Sequence, residues 1–242
     1  MDCVQAKLHK WGRANQVTFD PGKESKHILS RTEPHGEDFK LLGVIFDCKL
    51  EMGSAVSSLS GKAKWKLRML LRAQRSFSTE DLVLQYKQLV LSYIEYRSAA
   101  IYHATSTVLN QVDKLQDNFL RDLGITREAA LMDFNLAPLC MRRDIALLGL
   151  LHRSAIGEGP TQFRELFKRR TGSLKLVDPL DGQSASLLMR RSIWGLVRVY
   201  NGLGGALQCT EVKDFQGLLQ ERAKRIVSKD LLADWATLYS PR

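Results

Sequence analysis

The sequence predicts an α+β protein that is mostly α-helical, with a small antiparallel β unit followed by a helical bundle and further C-terminal helices. Apolar residues alternate or run together before about residue 50, whereas from about residue 54 they recur every three or four positions. Ser and Thr residues suited to cap helices precede several of the later stripes. With 44% apolar and 26% charged residues among 242, the composition is that of a globular chain with a sizeable core.

The β unit is expected near the N-terminus. Residues 2–14 carry apolar side chains at helical spacing, which predicts a helix that stops near Asn15. Short strands at 17–19 and 27–29 are expected on either side of a Pro-Gly turn. The apolar run FKLLGVIF at 39–46 predicts a buried strand or one arm of a hairpin, so the unit would hold about three strands.

Helical periodicity continues from the basic stretch 54–77 to the end of the chain. The later expected helices are a long one opened by a Ser78/Asp81 capping box and running towards His103, one capped by Ser106 and ending at Gly124, and then Thr126 to Phe134, Pro138 to Gly157, Thr161 to Arg170, Ala185 to Asn201, Thr210 to Val227 and a short one around Leu231 to Tyr239. The apolar stripe of the long helix is expected at Leu82, Tyr86, Leu89, Tyr93 and Tyr96.

Composition also suggests a division into regions. The Gly, Pro, Asp and Ser content of 172–184 is typical of a linker and marks the best internal boundary. The expected regions are the β unit 1–50, a helical bundle 51–135, a further helical region 136–171, the linker 172–184 and a C-terminal helical region 185–242.

The net charge of +10 is concentrated in two stretches. Residues 51–77 hold six Lys and Arg against one acidic residue, and residues 158–205 hold eight against four. Focused positive charge favours a polyanionic partner, because neutralised phosphates release condensed counterions.

The first basic stretch predicts a helix with two faces. At about 100° per residue, an apolar arc that includes Val56, Leu59 and Leu67 lies away from a row of cations. We expect this face to contact nucleic acid, with Trp65 as an aromatic that can stack on a base. The residues expected to bind are Lys62, Lys64, Trp65, Arg68, Arg72 and Arg75. The other interpretation is a solvated basic face with Trp65 covering the core.

Motifs for catalysis are missing from these residues. Asp47 and Glu51 form the one tempting carboxylate pair, and they are expected to be a strand end and a helix start. The four cysteines lack zinc-ligand spacing, so no metal site is expected. No phosphate-binding Gly loop or nucleophile motif occurs, and His152 is expected at a surface or a helix end rather than as a general base.

The N-terminal motifs follow a distinctive order. A helix ending in Trp11, then Asn15, FDPGKES at 19–25 and LLGVIFD at 41–47 precede the basic helix. This order resembles the reverse transcriptase of non-LTR retrotransposons, starting just after the catalytic Asp-Asp strand of the polymerase.

The resemblance implies a fold for each region. Residues 1–50 would be a palm remnant with a primer-grip hairpin, and 51–135 would be a thumb that follows the template–primer minor groove. The stretches 93–104 and 136–153 resemble the region after the thumb less specifically. The terminal Ser-Pro-Arg resembles a natural end rather than a cut.

The resemblance also implies roles for single residues. Lys23 matches the turn lysine that acts on the leaving pyrophosphate, although an exposed lysine in a Pro-Gly turn is the alternative. Leu42, Gly43 and Val44 match the primer grip, where Gly allows the backbone to approach the primer closely. The intact family enzyme uses magnesium, but no residue of this chain matches its metal-binding aspartates. We therefore expect no cofactor and no polymerase activity here.

The leading hypothesis is a truncated RNA-directed DNA polymerase fragment that binds RNA or an RNA–DNA template–primer. The alternative is a non-enzymatic helical scaffold or adaptor that binds an acidic partner, and a third possibility is an unfolded relic with an exposed sheet edge. Because the chain lacks a signal peptide and a long apolar run, we expect an intracellular protein, nuclear or cytoplasmic, without membrane contact.

Overall fold

A computed structural model describes residues 2–20, 22, 24–182, 186–229 and 234–241, with the backbone alone for 2 and 3. The chain divides into two compact units, Met1–Leu50 (the N-terminal unit) and Glu51–Arg242 (the helical unit). The described residues are mostly helical with one two-stranded antiparallel sheet. The predicted α+β, mostly α class is confirmed.

The N-terminal unit contains helix α1 (Asp2–Ala14) and a hairpin of strands β1 (Phe39–Leu41) and β2 (Val44–Phe46). The run 39–46 therefore forms both arms of a hairpin, whereas the sequence predicts a single strand or one arm. Leu42 and Gly43 form its turn with φ of +49° and +82°. Positive φ at both central residues is what a tight two-residue hairpin turn requires.

The other two predicted strands are wrong. Residues 17–19 form no strand, and 27–29 contributes only an isolated bridge from Ile28 to His35. The backbone N–H of Val17 donates to a carbonyl in the last turn of α1 at 2.8 Å. That N–H closes the end of the helix instead of joining a strand ladder.

The helical unit begins at the basic helix. Its α-helices are α2 (Gly53–Arg72), α3 (Thr79–Tyr86), α4 (Ser92–Ile101), α5 (Ser106–Asp122), α6 (Arg127–Phe134), α7 (Leu139–Ala155), α8 (Thr161–Leu166), α9 (Leu187–Arg191), α10 (Ile193–Asn201) and α11 (Val212–Lys229). Short 3₁₀ turns lie at Gln74–Ser76, Gly204–Gln208 and Trp235–Thr237. Within the described residues, no helix is both long and apolar enough to cross a bilayer.

Side-chain caps set several helix starts. The Ser78 hydroxyl accepts from the backbone N–H of Asp81 at 3.1 Å, as the predicted capping box requires. Thr126 caps α6 as expected. The N-cap of α5 is Thr105 rather than Ser106, a shift of one residue.

The predicted long helix from Ser78 is interrupted by a π-turn at Lys87–Leu91. A π-turn adds a residue to the helical repeat, so the buried face rotates beyond it. Before the turn Leu82 and Tyr86 are buried as expected. Within the π-turn Val90 and Leu91 are buried and Leu89 is exposed. After it Ile94, Ser98 and Ile101 are buried, Tyr96 is exposed and Tyr93 is half-buried.

The main core of the helical unit extends across the predicted linker. One cluster of buried side chains runs from Tyr102 through α7, α10 and α11 to Tyr239. Leu176, inside the expected linker 172–184, is fully buried in this cluster. Its N–H donates to Asn201 Oδ1 at 2.8 Å, and Asn201 Nδ2 donates to its carbonyl at 2.9 Å. The described part of this segment therefore does not separate two cores.

Helix α8 is shorter than predicted, ending at Leu166 rather than Arg170. Phe167 leaves the helix to become buried, with its ring 4.6 Å from that of Trp194. The following residues 168–170 pair with 175–177 in an antiparallel turn instead of completing a helix.

The C-terminal helices also differ from the expected ranges. The helix expected over 185–201 breaks at Ser192, whose hydroxyl accepts from the N–H of Trp194 and caps α10. Of the last expected helix, residues 231–233 lie outside the described part of the chain, and residues 235–237 form a 3₁₀ turn.

His152 lies in the last turn of α7, as the predicted helix-end position requires, but it is fully buried, which corrects the predicted surface position. Its Nδ1 and Nε2 form hydrogen bonds with the Tyr200 hydroxyl at 3.1 Å and the Cys209 carbonyl at 2.9 Å. The imidazole stacks on Phe215 with ring centroids 4.2 Å apart. Burial lowers the pKa of His152, because a charged imidazole would lose its hydration.

Candidate nucleic-acid interface

Helix α2 packs one face and exposes the other. Its buried side chains are small or branched apolar groups, namely Ala55, Val56, Leu59, Ala63, Leu67 and Leu70. They occupy an arc of roughly 120° at the helical repeat, and this face packs chiefly on α5. Because the helix is fixed from one side by apolar burial, the opposite face is held in a defined geometry.

That opposite face carries three cations in register. Lys64, Arg68 and Arg72, here called the α2 cation row, are spaced at four-residue intervals and are all exposed. No ion pair involves any of the three among the described residues. Like charges at this spacing destabilise a helix by a few tenths of a kcal/mol, so an external polyanion would relieve their repulsion.

Two other arginines of the helical unit are neutralised by bidentate ion pairs. Arg127 pairs with Asp117 at 2.6 Å, and the buried Arg143 binds both oxygens of Asp113 at 2.6 and 2.8 Å. These pairs stabilise the bundle internally. The α2 cation row differs from them in having its charge available to a ligand.

Trp65 lies beside the α2 cation row and is 63% exposed. Its interpretation as a cover for the core is wrong, because most of the ring faces solvent. Met69, one turn after Trp65, and Lys62, one turn before it, are also exposed. Arg75 is exposed but lies in the 3₁₀ turn after α2, so it does not continue the row as a helical residue.

A group of residues on the neighbouring helix α4 was missing from the sequence prediction. Arg97 lies over the ring of Tyr93 at 4.2 Å and near that of Tyr96 at 5.4 Å. Lys66 of α2 approaches the same Tyr93 ring at 5.4 Å. Periodicity assigns both tyrosines to the buried stripe, and only the π-turn rotates them outward. The residue pattern contains no signal for this π-turn, so the sequence did not predict the exposure of Tyr96.

The second basic stretch has a different architecture. Lys168 and Arg170 lie in one arm of the antiparallel turn and Lys175 in the other, all exposed. Arg198 on α10 makes a loose ion pair with Asp178 at 3.4 Å. These cations therefore lie on a turn and a partly neutralised helix instead of forming one helical row.

The proposed primer-grip residues lie at the hairpin tip of the N-terminal unit. Leu42 is 80% exposed, Gly43 completes the turn, and Val44 is buried as the first residue of β2. A leucine with positive φ costs roughly 1–2 kcal/mol compared with its usual backbone conformation. The hairpin thus holds an apolar side chain in solvent on a strained backbone.

Three further predicted positions are Lys23, Asp47 and Glu51. Lys23, the proposed leaving-group lysine, lies outside the described residues. Asp47 directly follows β2 and Glu51 shortly precedes α2, which matches their expected places in the chain. Within the described part of the molecule, no three His, Cys, Asp or Glu side chains are arranged to hold a metal ion.

Comparisons with protein-family models, with curated proteins and with solved structures returned no match to this chain.

Proposed function

We propose that this chain is a reverse-transcriptase-like fragment of non-LTR retrotransposon type that binds RNA or RNA–DNA duplex and does not polymerise. The N-terminal motifs support the family assignment by resemblance. The α2 cation row supports the binding function, and it is the observation on which the proposal depends.

The row has dimensions that suit a nucleic-acid backbone. Eight residues separate its first and last cations, which is about 12 Å at the rise of an α-helix. A duplex carries about one negative charge per 1.7 Å of axis, so several phosphates lie within that length. In the family, a basic thumb helix follows the template–primer in this way.

The hairpin tip gives a second, weaker support. Strained residues concentrate at functional sites, because backbone strain costs free energy that the surrounding structure must offset. Leu42 is strained and exposed at the position that resembles the primer grip. We propose that this tip contacts the primer strand when a template–primer is bound.

Polymerase activity is not part of the proposal. The family holds two magnesium ions with aspartates that no residue of these 242 matches. We expect no primer extension on a homopolymer template with magnesium or manganese, and incorporation above background would overturn this part of the proposal.

The binding function is tested by removing charge at matched positions. The triple variant Lys64→Ala, Arg68→Ala, Arg72→Ala removes the α2 cation row, and Arg222→Ala, Arg225→Ala, Lys229→Ala removes three exposed cations from α11. Affinity for an RNA–DNA hybrid at low salt is measured by fluorescence anisotropy. We expect at least about a tenfold loss for the first variant and a much smaller loss for the second.

Equal losses in the two triple variants would show that only net charge matters. Unchanged affinity in the first would show that α2 is not the binding surface. A chain that binds no nucleic acid but binds an acidic protein would instead support the adaptor alternative.

A further inference from the structure

Two exposed aromatic rings lie on adjacent helices of the helical unit, each beside cations. Trp65 of α2 is 63% exposed and Tyr96 of α4 is 69% exposed. Leaving a large ring in water forfeits about 25 cal/mol for each Å² that could have been buried. A ligand that covers both rings would recover that free energy.

On the same two helices, two cations share one aromatic neighbour. Lys66 Nζ is 5.4 Å and Arg97 Cζ is 4.2 Å from the centre of the Tyr93 ring. Both charges are thus held within about 10 Å of each other, close to one Debye length. Among the described residues no ion pair involves either cation, and the adjacent Glu95 pairs with Arg142 at 2.6 Å.

The cations and rings of α2 follow one another around the helix axis. At 100° per residue, moving away from the α2 cation row leads first to Trp65, then to Met69 and Lys62, and then to Lys66 beside α4. The surface then continues over α4. We call it the stacking strip, consisting of Trp65, Lys62, Lys66, Tyr93, Arg97 and Tyr96.

We propose that the stacking strip binds single-stranded RNA or DNA, with unpaired bases stacked on Trp65 and Tyr96 and phosphates bound by Lys66 and Arg97. The proposal rests on the proposed function, because the strip adjoins the α2 cation row. An aromatic side chain can stack on a base only when that base is not already stacked within a duplex. Duplex would therefore use the α2 cation row, and a single strand would use the strip as well.

The test measures binding of labelled oligo(U), oligo(dT) and an RNA–DNA hybrid of equal length by fluorescence anisotropy. Trp65→Ala and Tyr96→Ala should each weaken binding of the single strands by about fivefold or more and leave binding of the hybrid within about twofold. Tyr96→Phe keeps the ring and removes the hydroxyl, so it should bind like the natural chain. Both positions are exposed, and a thermal melt verifies that each variant folds.

Each outcome decides between specific claims. Selective loss of single-strand binding, restored in Tyr96→Phe, supports the strip, and the comparison of oligo(U) with oligo(dT) shows which sugar it accepts. If the hybrid loses as much affinity as the single strands, or if neither ring matters, the strip is not a single-strand site. The hybrid binding of the natural chain then still stands as evidence for the proposed function. If the natural chain binds none of the three probes, both proposals fail.

Discussion

The two compact units differ most in how much apolar surface they bury. Among the described residues, the buried apolar side chains of the N-terminal unit are Val44 and Cys48, whereas those of the helical unit number 46. Helix α1 even exposes its apolar row of Val4, Leu8 and Trp11. A fully buried large apolar side chain contributes about 1.5–3 kcal/mol, so the units should differ strongly in stability.

This difference separates two kinds of evidence. The motifs that resemble a reverse transcriptase lie in the weakly buried N-terminal unit. The α2 cation row lies on a helix whose opposite face is anchored in the well-packed helical unit. The geometry of the candidate interface is therefore set by the part of the chain with the larger core, and binding at α2 can be tested without assuming that the family resemblance is right.

Hydrogen exchange should show the largest contrast between the units. The hairpin of β1 and β2 loses few apolar contacts when it opens, so its amides should exchange readily. The amides of α7 exchange only when the main core opens. We expect exchange in α7 to be slower by on the order of a hundredfold or more, measured by mass spectrometry on peptides. Similar protection in both regions would show that the N-terminal unit has a stabilising contact beyond its own core.

Deleting one aromatic ring in each unit should give the next largest contrast. Phe119 is fully buried and stacks on Tyr86 with centroids 4.3 Å apart, so Phe119→Ala should cost about 3–5 kcal/mol. Phe46 is half-buried against Phe39, and Phe46→Ala should cost about 1 kcal/mol. Urea unfolding followed by circular dichroism measures both. A larger loss for Phe46→Ala would reverse the ranking of the units.

Relieving the strain in the hairpin turn should stabilise the N-terminal unit, whereas the ring deletions destabilise their units. Asn tolerates positive φ better than Leu does, so Leu42→Asn should raise the opening free energy of the hairpin by about 1 kcal/mol. Gly43→Ala is the matched control and should lower it, since Ala at φ +82° is strained. Local hydrogen exchange of β1 and β2 reports both changes. Destabilisation by Leu42→Asn would mean that the leucine side chain contributes packing that outweighs the strain.

The smallest predicted effect concerns pH. Burial lowers the pKa of folded His152 below the value of about 6.5 expected in the unfolded chain. Below about pH 6.5 the unfolded state therefore binds more protons than the folded state. The stabilisation that comes from burying neutral His152 is complete above this pH and is lost as the pH falls. We expect stability to fall by up to about 1 kcal/mol per pH unit in this window, an effect absent from His152→Gln. Parallel pH dependence in the variant and the natural chain, measured by urea unfolding, would assign the effect to other groups.

Most helices were predictable because their signals are local. The capping box at Ser78, the N-cap at Thr126 and the apolar stripe of α2 depend on neighbours within a few residues. The end of α8 depends instead on Phe167 reaching a distant Trp194, and the folding of 172–184 onto the core depends on Asn201. Tertiary contacts of this kind leave no periodic trace in the sequence.

The candidate interface divides in the same way. Exposure of Lys64, Arg68 and Arg72 follows from helical periodicity once the apolar face is known. The pairing of Lys66 with the Tyr93 ring depends on how α2 packs against α4 and on the π-turn that rotates α4. Sequence patterns therefore identified the charges and Trp65, but not the aromatic rings of α4 beside them.

The salt dependence of binding tests the central claim most directly. Each phosphate contact contributes about 0.7–0.9 to the slope of log affinity against log salt concentration, so removing the α2 cation row should reduce that slope by about 2 to 3 on an RNA–DNA hybrid. The matched triple variant on α11 should keep the slope of the natural chain. An unchanged slope after the loss of Lys64, Arg68 and Arg72 would contradict the assignment of α2 as the nucleic-acid interface.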